Sequence, residues 1–259
     1  MTVRLDVSDG LATIALARPD AHNALDVATK RSFQEAVDRT AANTDVRAVL
    51  ITAEGKNFCV GQDLGEHVSA LEADPSTAMD TVGIHYNPLI RALTSLVVPV
   101  VVAVPGACVG AGLGIALAGD IRVAGTRSSF ATAFTGIGLA SDSGLSYSLV
   151  EALGSSRAGA LMLLGDKITA EQAHMWGLVH RVVPDDEVRD TALALARQLA
   201  DGPTEAFREV KKLVRASALG LDDALDRELG AQKHLGRTSD HKAAVDAFLA
   251  KRKPVFTGR

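Results

Sequence analysis

Two glycine-rich segments carry the groups that can do chemistry through the main chain. The first is Phe58-Cys59-Val60-Gly61-Gln62-Asp63-Leu64. The second is Gly106-Ala107-Cys108-Val109-Gly110-Ala111-Gly112-Leu113-Gly114. Each follows an apolar, β-branched run (residues 46–52 and 97–104), so each reads as a strand ending in a tight turn that opens a helix. Gly61 permits a backbone conformation or close approach that a Cβ would block, which leaves the Gln62 N–H free to donate. Gly110 and Gly112 bracket Ala111, whose N–H stands at the start of the next helix. Two such donors aimed at one carbonyl oxygen hold it more tightly as it becomes an enolate, and that difference accelerates a reaction. Taken singly, each segment reads better as a plain strand-to-helix turn, since glycine-rich turns are common.

The side chains offer fewer candidates. Asp142, in Leu139-Ala140-Ser141-Asp142-Ser143-Gly144, has the chemistry of a proton shuttle and also of an N-cap for a helix starting at Ser143. Phe134 supplies an apolar wall that would raise a neighbouring carboxyl's pKa. His67 and His85 fall in or beside a segment that would roof a pocket but read more readily as exposed surface histidines, Tyr147 suits a pocket lining or the core, and Asp63 suits bracing its own loop. Asp120, after Ala118-Gly119, reads as the end of a buried helix. Ser141 and Ser143 have no paired histidine in sequence context, and the histidines lack metal-ligand spacing. The glycines form neither a dinucleotide fingerprint nor a P-loop. No metal and no separate cofactor is expected.

These groups must be positioned by an alternating scaffold. Residues 11–16 read as a strand, Asp26 as the N-cap of a helix over 27–41, and residues 77–96 as a helix that Pro88 kinks or divides. Short strands are expected at 120–124, 129–131 and 178–183. Thr169-Ala170-Glu171-Gln172 has capping-box form. Helices over 186–200, 203–218, 221–235 and 240–251 follow, with Phe207, Val210 and Val214 in one stripe. Strand–helix alternation with an all-helical end implies an α/β core and a helical C-terminal part.

The chain has 259 residues, 47% hydrophobic and 22% charged, with a formal charge of −4, which gives no electrostatic case for nucleic acid. The Lys211-Lys212 and Lys251-Arg252-Lys253 clusters read as solvated helix faces. Two cysteines, Cys59 and Cys108, imply a reducing compartment and small buried side chains. The uncharged stretch between Arg91 and Asp120 is broken by Pro99, Pro105 and four glycines, so it reads as a buried strand and helix rather than a membrane span. With no signal-peptide core at the N-terminus, a cytoplasmic location is expected.

Arg18-Pro19 with Asn23-Ala24-Leu25, then FCVGQDL (58–64), GACVGAGLGIALAGD (106–120), SSFATAFTGIGLASD (128–142) and AFLAKRKPVF (247–256) occur in an order that resembles the enoyl-CoA hydratase/isomerase, or crotonase, superfamily over nearly the whole length. The resemblance implies an α/β, crotonase-like spiral core of ββα turns over residues 1–195. It also implies a helical C-terminal trimerisation region over 196–259 and a homotrimer or dimer of trimers. The substrate it implies is an acyl-CoA thioester, with CoA arriving as part of it. The oxyanion hole falls on the amides of Gln62 and Ala111. CoA and acyl contacts fall on Ala24, Val60, Gly61, Asp63, Leu64, Gly65, Gly112 and Phe134, with Phe248 and Lys251 contributed by the same or a neighbouring subunit.

The chain departs from the family's hydratases, whose two glutamates would stand at the positions of Gly114 and Phe134. A glycine and a phenylalanine cannot activate water. Asp142, with Ala133-Phe134 and Ile137-Gly138-Leu139, is similar to the single-aspartate enoyl-CoA isomerase and epoxyphenylacetyl-CoA isomerase branch, although Ser141, Ser143 and Leu145 differ from it. That branch implies double-bond isomerisation with Asp142 as the proton shuttle. A hydratase with atypical acid–base residues and a non-catalytic acyl-CoA-binding paralogue are the alternatives.

Overall fold

A computed structural model describes all residues except 217–219. Its main sheet has six strands in the order β1-β2-β3-β4-β6-β9: β1 (Val3–Ser8), β2 (Leu11–Leu16), β3 (Ala48–Ala53), β4 (Val100–Val104), β6 (Ile121–Gly125) and β9 (Arg181–Val183). The β1–β2 pair is antiparallel and every other pair is parallel. A second sheet orders β5 (Ala107–Val109), β7 (Ser129–Ala131) and β8 (Ile168–Thr169).

The apolar runs at residues 46–52 and 97–104 form central strands because both of their faces are covered. Val49 and Ile51 of β3, with Val100, Val102 and Val104 of β4, enter one core. Ala48 and Leu50, with Val101 and Ala103, enter a second core on the opposite face. Helix α1 (Val27–Ala42) covers the first face through Phe33, Ala36 and Val37. Its Asp26 N-cap forms as expected, accepting from the Thr29 N–H at 2.7 Å.

The spiral follows from short strands that leave the main sheet for the second one before each helix. β4 leads to β5 and α4 (Ala111–Ala118); β6 leads to β7 and then α5 (Leu145–Leu164). After β3, Cys59 bridges to Cys108 in parallel before α2 (Leu64–Ala73). These are the ββα turns that the resemblance implies. Burial pushes the Cys59 thiol up to about 12 and Cys108 upward too, so both behave as small core residues.

The stretch 77–96 yields at its proline without dividing there. A π turn at Val82–Tyr86 runs without a break into α3 (Asn87–Ser95), with Tyr86 and Asn87 both in right-handed helical conformation, so the stretch is widened just before Pro88, which has no N–H to donate, rather than cut in two. Helix α2 is the helix that the first glycine turn was expected to open, and Asp63 caps it by accepting from Glu66 N at 3.2 Å. Helix α6 (Ala170–Met175) carries the expected capping box.

The C-terminal part comprises α7 (Val188–Ala200), α8 (Thr204–Arg215), α9 (Leu221–Leu235) and α10 (Ser239–Leu249). The expected division at 195/196 falls inside α7, and Ala192, Ala196 and Ala200 all pack on the main sheet. The helix expected to reach Ala218 ends at Arg215, and Ala218 lies outside the described residues. Val210 and Val214 of the predicted stripe are half exposed or more. Lys211, read as a solvated cation, is instead buried and donates to Asp120 Oδ2 at 2.5 Å and Val98 O at 2.8 Å. Among the described residues no helix is long and apolar enough to cross a membrane.

Candidate active site

The two glycine turns lie side by side because their strands pair. Phe58 N and Cys59 N both donate to Ala107 O, at 3.1 and 3.2 Å, and Val109 N donates to Cys59 O at 2.9 Å. Gly61 adopts φ +90°, and a Cβ there would stand 3.1 Å from Val109 O and 3.4 Å from Ala111 N. The position therefore requires glycine on two grounds, conformation and contact.

The same pairing frees the two amides. Leu25 N donates to Gly61 O at 2.8 Å and Asp63 N donates to Leu25 O at 3.2 Å, so the Gln62 N–H between them has no partner among the described residues. Ala111 is the first residue of α4, and its N–H likewise has no partner among them. Both residues line one cavity of about 530 Å³, together with Ala24, Val60, Gly61, Asp63, Leu64, Phe134 and Asp142.

A smaller chamber of about 70 Å³ continues the cavity, sharing Gln62, Leu64, Phe134, Ile137 and Asp142 and adding Tyr86, Val82, Met79, His67 and Leu139. Asp142 is the one carboxylate in the chamber wall. The other acid in the outer cavity, Asp63, is engaged by Arg18 Nη1 at 3.1 Å and by its cap, which bears out its bracing role.

Asp142 does not cap the helix as the sequence allowed. Ser143 and Gly144 both take positive φ, 52° and 73°, and α5 begins only at Leu145, with Gly144 at its cap position and no side-chain cap bond. This left-handed pair detaches the aspartate from the helix and leaves it in the cavity wall. Its Oδ1 accepts from Ser143 Oγ at 2.8 Å. Burial raises the Asp142 pKa above the ordinary value of 3.8, and the Ser143 hydrogen bond offsets part of that rise.

A profile of the enoyl-CoA hydratase/isomerase family matches residues 6–259. The chain belongs to this family. It is 38% identical to the 1,2-epoxyphenylacetyl-CoA isomerase of Escherichia coli (strain K12) over 98% of this chain and 97% of that one. It is 39% identical to a protein named "Probable enoyl-CoA hydratase" in Rhodobacter capsulatus, over 100% of this chain and 98% of that one. A solved structure from Mycobacterium abscessus, described as a putative enoyl-CoA hydratase/isomerase, superposes with a TM-score of 0.98 at 57% identity, covering 99% of this chain and all of the other.

Within this crotonase scaffold, position 114 is closed to an acid. A Cβ on Gly114 would lie 2.5 Å from Ser143 O and 2.6 Å from Ser143 Cβ, so the Ser143 loop occupies the space a larger residue would need.

Several residues assigned to substrate sit elsewhere in the single chain. A Cβ on Gly112 would meet Cys59 O at 2.4 Å, so this glycine serves helix-to-strand packing and is absent from the cavity walls. Gly65 lies in the first turn of α2, exposed and outside both walls. Phe248 is 82% exposed, and neither it nor Lys251 lines the cavity of its own chain. Tyr147 is 70% exposed and lines neither space, because the late start of α5 turns this position outward. His67 does wall the inner chamber, whereas His85 bonds Thr81 Oγ1 at 3.1 Å beside it.

The sequence reading named Ala133 with Phe134 but not its φ of 58°, which shapes the wall there, and it missed Tyr86. It also missed Lys30, a lysine in register with Phe33 and Val37 on the buried face of α1. That register was the available signal.

Proposed function

We propose that this protein is an acyl-CoA double-bond isomerase. The Gln62 and Ala111 N–H groups hold the thioester oxygen. Asp142, as carboxylate, takes a proton from one carbon of the acyl chain, leaving an enolate whose charge rests on that oxygen. The resulting carboxylic acid returns the proton to a carbon two atoms along, the double bond moves, and the carboxylate is regenerated. Nothing else is consumed.

The observation that carries this reading is the lone carboxylate in the chamber, raised in pKa by burial, beside a position 114 that cannot hold a second. One base suffices for proton relocation, whereas water addition needs a group to activate water as well. The E. coli relative named as an isomerase supports the same reading. Family membership also supports a homotrimer or dimer of trimers, in which the exposed Val210 and Val214 of α8 are covered.

Incubation with 3-enoyl-CoA and 2-enoyl-CoA esters in deuterated water tests it. The expected result is migration of the double bond with deuterium entering the acyl chain. Formation of 3-hydroxyacyl-CoA without migration overturns the proposal. The oxyanion hole has its own test in Gly61→Ala, which forces a side chain onto φ +90° and against Val109 O. Turnover should fall by about a hundredfold, as for loss of one oxyanion donor, and a fall under about threefold would exclude a role for the turn in holding the oxygen.

A further inference from the structure

The amide of Gln62 has no partner among the described residues, but its side chain is tied down by three residues from three elements. Gln62 Oε1 accepts from Tyr86 Oη and from Lys30 Nζ, the latter at 3.2 Å. Gln62 Nε2 donates to Glu66 Oε1 at 3.0 Å. The centre of this cluster is the Lys30 ammonium. It also donates to Glu66 Oε1 at 2.8 Å and to Thr81 Oγ1 at 2.8 Å, so all three of its N–H groups are used.

The Lys30 side chain is fully buried and its nitrogen lies 5.2 Å from the centre of the Tyr86 ring. Glu66 spends its other oxygen on Val27 N at 2.6 Å, which fastens the cluster to the start of α1. On the far side of the Leu25–Gln62 bridge, Arg18 Nη1 donates to Ala24 O at 2.6 Å and to Asp63 Oδ2. The strand carrying the donor amide is therefore gripped by one cation on each side.

Burying an ammonium is costly, and well-packed apolar side chains commonly stabilise a fold as much or more. What Lys30 adds is a fixed orientation. Resting on the isomerase reading for its substrate, we infer that Lys30 is a positioning residue of the oxyanion hole, acting through the Gln62 side chain, Glu66 and Tyr86 to aim the Gln62 N–H at the thioester oxygen. Lys30 never touches the substrate. The cluster also joins the hole to the roof segment Thr81–Tyr86, part of which walls the acyl chamber.

The test is the carbonyl stretch of bound [1-¹³C]hexanoyl-CoA, a saturated probe that cannot isomerise, read by isotope-edited infrared spectroscopy. A hydrogen-bonded, polarised thioester carbonyl absorbs at lower frequency. Wild type should shift the band, and Lys30→Met should lose at least half of the shift. With enoyl-CoA, its kcat should fall roughly 10- to 100-fold while KM changes little.

Lys30→Met alone leaves the Glu66 charge unpaired, so a second variant, K30M/E66Q, removes both charges together and is expected to fold and to show the same loss. Lys211→Met, at a buried lysine remote from the site, should lower Tm with the band unmoved. A wild-type shift in folded K30M/E66Q overturns the inference. A wild type that polarises the carbonyl without moving double bonds overturns the isomerase reading and leaves this inference standing. A wild type that fails to bind or to shift the probe overturns both.

Discussion

Asp142→Asn should reduce isomerisation by about a thousandfold or more while leaving the protein at least as stable as wild type at neutral pH. The loss follows from role. A positioned acid–base group contributes roughly 10²–10⁴ in rate, and here one carboxyl both takes and returns the proton, with no other acid in the chamber wall. Asparagine keeps the oxygen that accepts from Ser143 Oγ, so the loop geometry survives the change.

The stability arm of this prediction follows from the direction of the pKa shift. Burial raises the folded-state pKa above the ordinary 3.8. Between the unfolded and folded values, the folded chain holds a proton that the unfolded chain has released. Stability therefore falls as pH rises through that window, and above it the ionised Asp142 disfavours the fold. Asparagine carries no such term, so thermal denaturation should show the variant's advantage at neutral pH shrinking as pH drops towards the ordinary aspartate range. The wild-type rate should also lose activity on the acid side at a pH above 3.8, where the base becomes protonated. A variant that retains more than a tenth of wild-type turnover would remove Asp142 from the mechanism.

The sequence made the main-chain half of this site legible and the side-chain half only in part, for physical reasons. Gly61 and Gly110 announce their turns because a positive φ at both, and a close backbone approach at Gly61, leave glycine as the residue of choice, and the β-branched runs before them announce doubly covered strands. Asp142 was legible as a candidate. Its freedom from helix capping was not, because that depends on Ser143 adopting φ +52°, a conformation that serine seldom signals. Helix α2 was legible as a helix opened by the first turn but without an extent, because its sequence, LGEHVSALEA, buries no residue and so shows no clear apolar face. Lys30 sits where α1 should be apolar, and its partners Glu66, Thr81 and Tyr86 lie 36 or more positions away along the chain. Only the folded arrangement brings them to Gln62. Phe248 and Lys251 stand outside their own cavity, and a place for them in the site requires a neighbouring subunit.

Position 114 is closed by packing, and substitution there should fail in an informative way. With Ser143 O and Cβ only 2.5 and 2.6 Å from a Cβ at position 114, one of the two segments must move. Helix α4 is buried along most of its length, and the Ser143-Gly144 pair is held in its left-handed conformation by the start of α5. Neither has room to yield cheaply. Gly114→Ala should cost about 1–3 kcal/mol, the range for overpacking a filled interior, measured by chemical denaturation. Because the residue that gives way is next to Asp142, turnover should fall as well, by up to about a hundredfold for a shift near 1 Å. Gly114→Glu restores the acid implied by the hydratase pattern but pushes the same loop, so it should yield no 3-hydroxyacyl-CoA from 2-enoyl-CoA. Gly159→Ala is the matched control: it lies within α5 with nothing inside 4 Å of its Cβ, and should stabilise by roughly 0.5–1 kcal/mol as alanine replaces glycine in a helix. If Gly114→Ala matched wild type in both stability and turnover, the Ser143 loop would not be what closes position 114, and the argument for a single-acid mechanism would lose its steric half.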